Sequence, residues 1–416
     1  MDFPKRRWLS RTALAAVALG LAGWIAPVAA QEIKIGCGMA LTGGLAANGK
    51  AALISMEIWA EDVNARGGLL GRKVRLICYD DQTNPATVPG IYSKLLDVDK
   101  VDLVVSGYGT NLIAPAMPIV MQRGLMFMTL FGLDVNSKFK YDRYFQIMPA
   151  GPDPAVDWSR GFFDIAGQLN PKPTTIALVG ADAEYPWAAL AGARFHAQRA
   201  GLKIVYDKTY PPNTVDYSPI VRAIQATNPD LVFVASYPPD TAGMVRAANE
   251  IGLKTRMFGG GMVGTQFAAF KTQLGPLLNG VVNYEFWTPE NAGKLPYVSK
   301  FLVKYQQRAA KEKVDPLGYY LPPYSYAMME VVEQAIEATK GLDQKKLAEY
   351  IHANEFVTVV GAIRFAKNGE WSKGRAMSVQ YGGIKSNDLS EFQKPGINTI
   401  LWPAEFKTGD LKAPFK

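Results

Sequence analysis

Two histidines and two cysteines are all that 416 residues contain of either type. That scarcity removes whole classes of chemistry. A zinc site needs a set of nitrogen and sulfur ligands, and His196 and His352 lie far apart with no cysteine beside either. A hydrolase needs a nucleophile with a base in reach. There is no G-x-S-x-G, and no spacing links either histidine to a serine or cysteine. No metal, no cofactor and no catalytic set is therefore expected. His196 falls in a polar helical stretch and reads as a surface residue. Cys37 and Cys78 each lie in an apolar, strand-like run. Two buried thiols are the simpler reading; a disulfide requires the two strands to be neighbours with suitable Cβ geometry.

The chain also lacks a nucleotide site, although one stretch imitates it. "GGLAANGKA", Gly43 to Ala51, carries G-x-x-x-x-G-K after an apolar run. A P-loop continues with Ser or Thr, whose hydroxyl ligates Mg²⁺; here that position is Ala51. The dinucleotide fingerprint begun by Gly36-Cys37-Gly38 would need glycine at Leu41. Glycines after a strand then mean a tight turn and close backbone approach.

One-sided charge is missing as well. Residues 1–30 hold Lys5, Arg6, Arg7, Arg11 and Asp2; without them the totals of 45 basic and 37 acidic residues fall to 41 and 36, about +5. No basic stripe interleaves with aromatics, so a nucleic-acid partner is not expected. The long apolar run, Thr12 to Ala30, is confined to that start and ends in Val28-Ala29-Ala30. A basic start, an apolar run and small residues at the end make residues 1–30 a secretory signal peptide. Export to the periplasm follows. Arg6-Arg7-Trp8-Leu9 partly matches a twin-arginine signal, with the general secretory route as the alternative. No Leu-x-x-Cys sits near the cleavage point, so no lipid anchor is expected. N-terminal sequencing of the exported protein is expected to begin at Gln31 or within a few residues. Full-length protein recovered from membranes would contradict this.

What is present is an alternation of short apolar strands and amphipathic helices. Strands are expected at 33–38, 74–79, 103–106 and 125–129, with a helix over 48–66 stopped by Gly67-Gly68. The pattern restarts with strands at 175–179, 203–206, 231–235 and 257–259. Long helices follow at 297–311 and 325–340, and a tail over 357–380 alternates like antiparallel strands around Lys367-Asn368-Gly369. Buried strands between helices indicate α/β structure with parallel sheets covered on both faces. About 386 residues suit two such units. Ligands of open α/β sheets bind at the carboxyl ends of strands, here the loops 42–48, 107–111, 130–133, 183–187, 237–240 and 260–264.

The segments "IKIGCGMALTGGLAANGKAAL", "VNARGGLLGRKVRLICYDDQTNPA", "DYSPIVRAIQATNPDLVFVASYP" and "FKTQLGPLLNG" resemble type I periplasmic solute-binding proteins, and most closely the leucine/isoleucine/valine-binding proteins of ABC importers. The resemblance runs in order along nearly the whole chain after the signal. It implies two doubly wound parallel-sheet lobes joined by three hinge crossings, near 148–150, 283–286 and 359–361. Lobe 1 would comprise 31–149 plus 286–360, and lobe 2 would comprise 150–285 plus 361–416. It implies a small-molecule ligand in the cleft and, as partners, membrane permease subunits with their ATPases. A ligand-sensing regulatory protein of the same fold is the alternative.

Carried over residue by residue, the resemblance puts Thr110 where the family's amino-acid binders hold an α-carboxylate. Capping the next helix is the other reading of that threonine. Tyr185 matches a tyrosine that meets the ligand, and Tyr237 a second one. Leu133 stands where a threonine is usual. The acid that pairs with an α-ammonium would fall near Gly261, and Gly259-Gly260-Gly261-Met262 offers no carboxylate. Asp182, Glu184 and Glu285 are the other carboxylates within range. The candidate ligand-binding residues are Asn48, Tyr108, Gly109, Thr110, Leu130, Phe131, Gly132, Tyr185, Tyr237 and Met262. Their aromatic content suits a small hydrophobic carboxylate, an aromatic acid or an amino acid.

Overall fold

The computed structural model describes residues 31–415; the signal-peptide reading of 1–30 lies outside them. The first sheet is built from β1 (Ile33–Met39), β2 (Val74–Asp80), β3 (Leu103–Tyr108), β4 (Phe127–Leu130) and β5 (Tyr144–Gln146) in the order β2-β1-β3-β4-β5. Every pairing in it is parallel. The second sheet begins with β6 (Thr175–Ala181), β7 (Lys203–Tyr210), β8 (Leu231–Ser236), β9 (Met257–Met262) and β10 (Val282–Glu285). A separate hairpin, β11 (Glu355–Thr358) and β12 (Gly361–Arg364), precedes β13 (Met377–Tyr381) and β14 (Asn398–Trp402). The second sheet runs β14-β13-β10-β9-β8-β6-β7, antiparallel only at its β14 and β13 edge. The near-continuous burial of β3, β4, β8 and β10 is the mark of strands covered on both faces.

The helix Ala46–Ala65 buries Ala52, Met56, Trp59 and Val63 against the first sheet. Trp59 Nε1 also donates to Glu333 on the helix Leu321–Thr339 (2.8 Å), tying two distant segments of one lobe. Cys37 and Cys78 are register partners on neighbouring strands with Cα atoms 4.5 Å apart, and they form a disulfide. Pairing, not two free thiols, is thus what adjacency of β1 and β2 produces.

The third crossing differs from its expected place. Val359-Val360 is the two-residue loop of the β11–β12 hairpin, and Gly361 takes φ +89°. A glycine before an apolar run looks alike in a hairpin and in a crossing. The chain stays beside the first sheet through Gly369, whose carbonyl accepts from the Gln146 amide (2.8 Å). It moves over only near Arg375, whose amide donates to Pro149 O (2.9 Å), before β13 enters the second sheet. His196 is another correction. It is buried, its Nε2 lies 2.8 Å from Val156 O, and its ring stacks on Phe163. A helix face that packs on another helix hides a residue the polar neighbours suggested was exposed.

Candidate functional site

The carboxyl ends of β3, β4, β8 and β9 face the same gap between the lobes. At the end of β3, Gly109 takes φ +102°, which lets the chain turn sharply into Thr110. Thr110 Oγ1 accepts from the Leu133 amide (2.9 Å), bracing this loop against the one after β4. With that acceptor role filled, the Thr110 hydroxyl proton remains for a group in the gap. Phe131 follows β4 at φ +58°, an unusual conformation for a large side chain. It is held there by the hydrogen bond its backbone N–H donates to Gln146 Oε1 (2.8 Å) and by packing on Phe286, Tyr320 and Tyr324. Backbone strain of this kind persists where the surroundings over-determine it.

Six of the expected residues, Tyr108, Gly109, Thr110, Phe131, Tyr185 and Tyr237, line one enclosed cavity between the lobes. The space left among them is about 20 Å³, room for a single water. The other four do not line it. Leu130 and Met262 are core residues of β4 and β9. Gly132 contributes its carbonyl to Gln146 Nε2 (2.7 Å). Asn48 is buried in the helix Ala46–Ala65 with its amide nitrogen unpaired. The strand-end rule selects loops, but only side-chain direction says which loop residues reach the gap.

Leu133, Met148, Trp158, Val263 and Tyr320 complete the wall; Leu133 and Val263 lie in strand-end loops marked from the sequence, whereas Met148, Trp158 and Tyr320 were not foreseen in it. Tyr320 is central: its hydroxyl lies 3.1 Å from that of Tyr108, and its ring stacks on Phe286 with centroids 5.6 Å apart. The available signal was the aromatic run Tyr319-Tyr320 ahead of Pro322-Pro323, which opens a long helix. Trp158, from the helix Pro154–Ala166, packs on Tyr284 and Phe286 across the base of the gap.

Among the described residues, no acid, lysine, arginine or histidine lines this cavity. Burial holds the phenols of Tyr108, Tyr185 and Tyr320 well above their usual range, so all three stay neutral. Tyr185 donates its hydroxyl to Gly261 O (2.9 Å), so its ring rather than its oxygen faces inward. Of the three nearby carboxylates, Glu285 is buried against Lys271 (2.8 Å) and Tyr381, and Asp182 accepts from Trp187 Nε1 (2.9 Å). Glu184 lines a separate side cavity with Thr110, Leu133 and Lys138, and its Oε2 has no hydrogen-bond partner. Burial raises the Glu184 carboxyl above its usual range and Lys138 pulls it back.

A family model described as periplasmic binding protein matches residues 32–380. Leu/Ile/Val-binding protein homolog 8 of Brucella abortus (strain 2308) is 24% identical over 379 residues, covering 88% of this chain and 92% of that one. The leucine binding protein LivK of Thermotoga maritima superposes with a TM-score of 0.73 at 18% identity, covering 85% of this chain and 98% of that one. A solute binding protein of Rhodopseudomonas palustris BisB5, solved with 3,4-dihydroxybenzoic acid, gives 0.69 at 18% identity over 86% and 94% of the two chains. Two α/β lobes with facing strand ends are the type I architecture of these structures. With a match that spans both lobes, this chain belongs to the periplasmic binding protein family.

Proposed function

We propose that this protein captures a small hydrophobic carboxylate, an aromatic acid by preference, in its inter-lobe cleft and presents it to the membrane permease of an ABC importer. The observation that carries the reading is the uncharged aromatic wall of the cavity. An α-ammonium buried there would lack a counter-charge, a cost on the order of 3–5 kcal/mol by analogy with broken buried pairs. A carboxylate finds hydrogen-bond donors instead, the Thr110 hydroxyl first among them. The structural neighbour holding 3,4-dihydroxybenzoic acid supports this reading, since the same fold accommodates such a ligand.

An amino acid is the second reading, and one observation favours it. The unpartnered Oε2 of Glu184 lies in the side cavity that Thr110 and Leu133 also line. An ammonium there would have its acid. Calorimetry with matched pairs separates the two: phenylalanine against phenylpropionate, and leucine against its keto acid. The deaminated member of each pair is expected to bind more tightly, and Glu184→Gln to change that preference little. Binding of only the amino acids, abolished by Glu184→Gln, would establish the second reading instead.

A further inference from the structure

The cleft continues past the aromatic cavity. Beside it, between the same lobes, lies an outer chamber of about 480 Å³, against about 20 Å³ inside. Among the described residues, Tyr237 alone lines both. Its ring leans on Tyr185 with centroids 5.8 Å apart. Its hydroxyl reaches across the lobes to Asn111 Oδ1 at 3.4 Å, long for a hydrogen bond. Tyr237 thus stands between the two chambers, and its hydrogen bond to the opposite lobe is a long one.

The outer chamber differs chemically from the inner one. Its wall draws Leu45, Thr83 and Asn111 from the first lobe and Ala183 and Thr214 from the second. Apart from Tyr237, its only ionisable wall residue among the described residues is Asp240, and both carboxylate oxygens are occupied, by the Tyr217 hydroxyl (2.9 Å) and the Tyr237 amide (3.3 Å). Among the described residues, no lysine, arginine or histidine faces the space. A second carboxylate entering it would face the carboxyl of Asp240 with no cation beside it, whereas the inner cavity holds no acid. A hydroxyl or amide would meet the Asn111 side chain and the threonines.

We infer that the ligand spans both chambers: an elongated acid whose carboxylate end lies inside Tyr237 and whose far end, an uncharged hydrogen-bonding group, occupies the outer chamber, with Tyr237 setting the length admitted. This rests on the acid-binding reading above. It also follows from volume, because the inner cavity at this degree of closure has no room for a whole ring.

Calorimetry on the full exported protein with benzoate, 4-hydroxycinnamate and 4-carboxycinnamate tests it. The hydroxycinnamate is expected to bind about tenfold more tightly than benzoate, the worth of roughly one good hydrogen bond. The dicarboxylate is expected not to bind. Thr214→Trp, which fills the outer chamber from a loop, should shrink the hydroxycinnamate-to-benzoate ratio to about one. Tyr237→Ala should shift the ratio further toward the longer acid, with Tyr237→Phe as the variant that keeps the ring and loses only the Asn111 contact. If both monoacids bind and neither Thr214→Trp nor the Tyr237 variants move the ratio, the two-chamber inference is wrong while the acid-binding reading stands. If neither monoacid binds, the acid-binding reading fails and this inference fails with it.

Discussion

Thr110→Val is expected to weaken binding of the cleft's carboxylate by roughly 1–3 kcal/mol, the range for a hydrogen bond to a charged group. That is roughly a five- to 150-fold rise in Kd. Valine keeps the shape and removes the hydroxyl, so the ligand loses a donor at a buried position. It also strands the Leu133 amide, which now donates to Thr110 Oγ1 at 2.9 Å. Some thermal stability should therefore be lost as well. Thr110→Ser separates the two effects, because it retains the hydroxyl for both partners and should bind nearly as the parent does. Calorimetry beside a melting curve reads affinity and stability independently. Unchanged affinity in the valine variant would mean that the Thr110 hydroxyl only braces its loop.

The largest stability effect is expected from Lys271→Met. Lys271 and Glu285 are 3% and 1% exposed, and their ion pair measures 2.8 Å. Burial pushes the Glu285 carboxyl up, and Lys271 and the Tyr381 hydroxyl hold it back down. Without the lysine, a carboxylate is left uncompensated in the core, at about 3–5 kcal/mol. That is a large fraction of the roughly 5–15 kcal/mol that holds a typical domain folded. Adding Glu285→Gln should recover most of the loss, since no charge then remains to be solvated. The sign with pH follows. In Lys271→Met the folded-state pKa of Glu285 rises further above its unfolded value, so the native state keeps the proton longer. The deficit should be small near the ordinary glutamate pKa and grow as pH rises through neutrality. Urea denaturation at acid and neutral pH checks this; a deficit independent of pH would assign the loss to packing alone. The pair matters to the cleft because Glu285 ends β10 and the next residue, Phe286, packs on Phe131 and Tyr320.

The α/β alternation, the two units and the strand-end loops were legible in the sequence because each depends on short-range pattern. Apolar runs of strand length, helices stopped by glycine and prolines opening helices are local facts. Thr110, Tyr185 and Tyr237 lie in the strand-end loops that this pattern marks, but within those loops it was the resemblance to the periplasmic binding proteins that singled them out. The failure of the P-loop imitation was legible too, because a single residue, Ala51, decides it.

Tertiary structure alone decided the rest. Tyr320 and Trp158 reach the cavity from helix starts remote from any strand end, and no periodicity foretells that meeting. The antiparallel hairpin at 355–364 and the later crossing near Arg375 depend on which surface a short strand finds, not on its own composition. The Cys37–Cys78 bond required β1 and β2 to lie side by side in register, a long-range pairing that either strand's pattern leaves open. The division of the cleft by Tyr237 is of the same kind: it exists only because two lobes, folded from interleaved segments, bring Asn111 within reach of one phenol. Local sequence sets what each segment can be; which side chains share a cavity is fixed by packing between segments far apart in the chain.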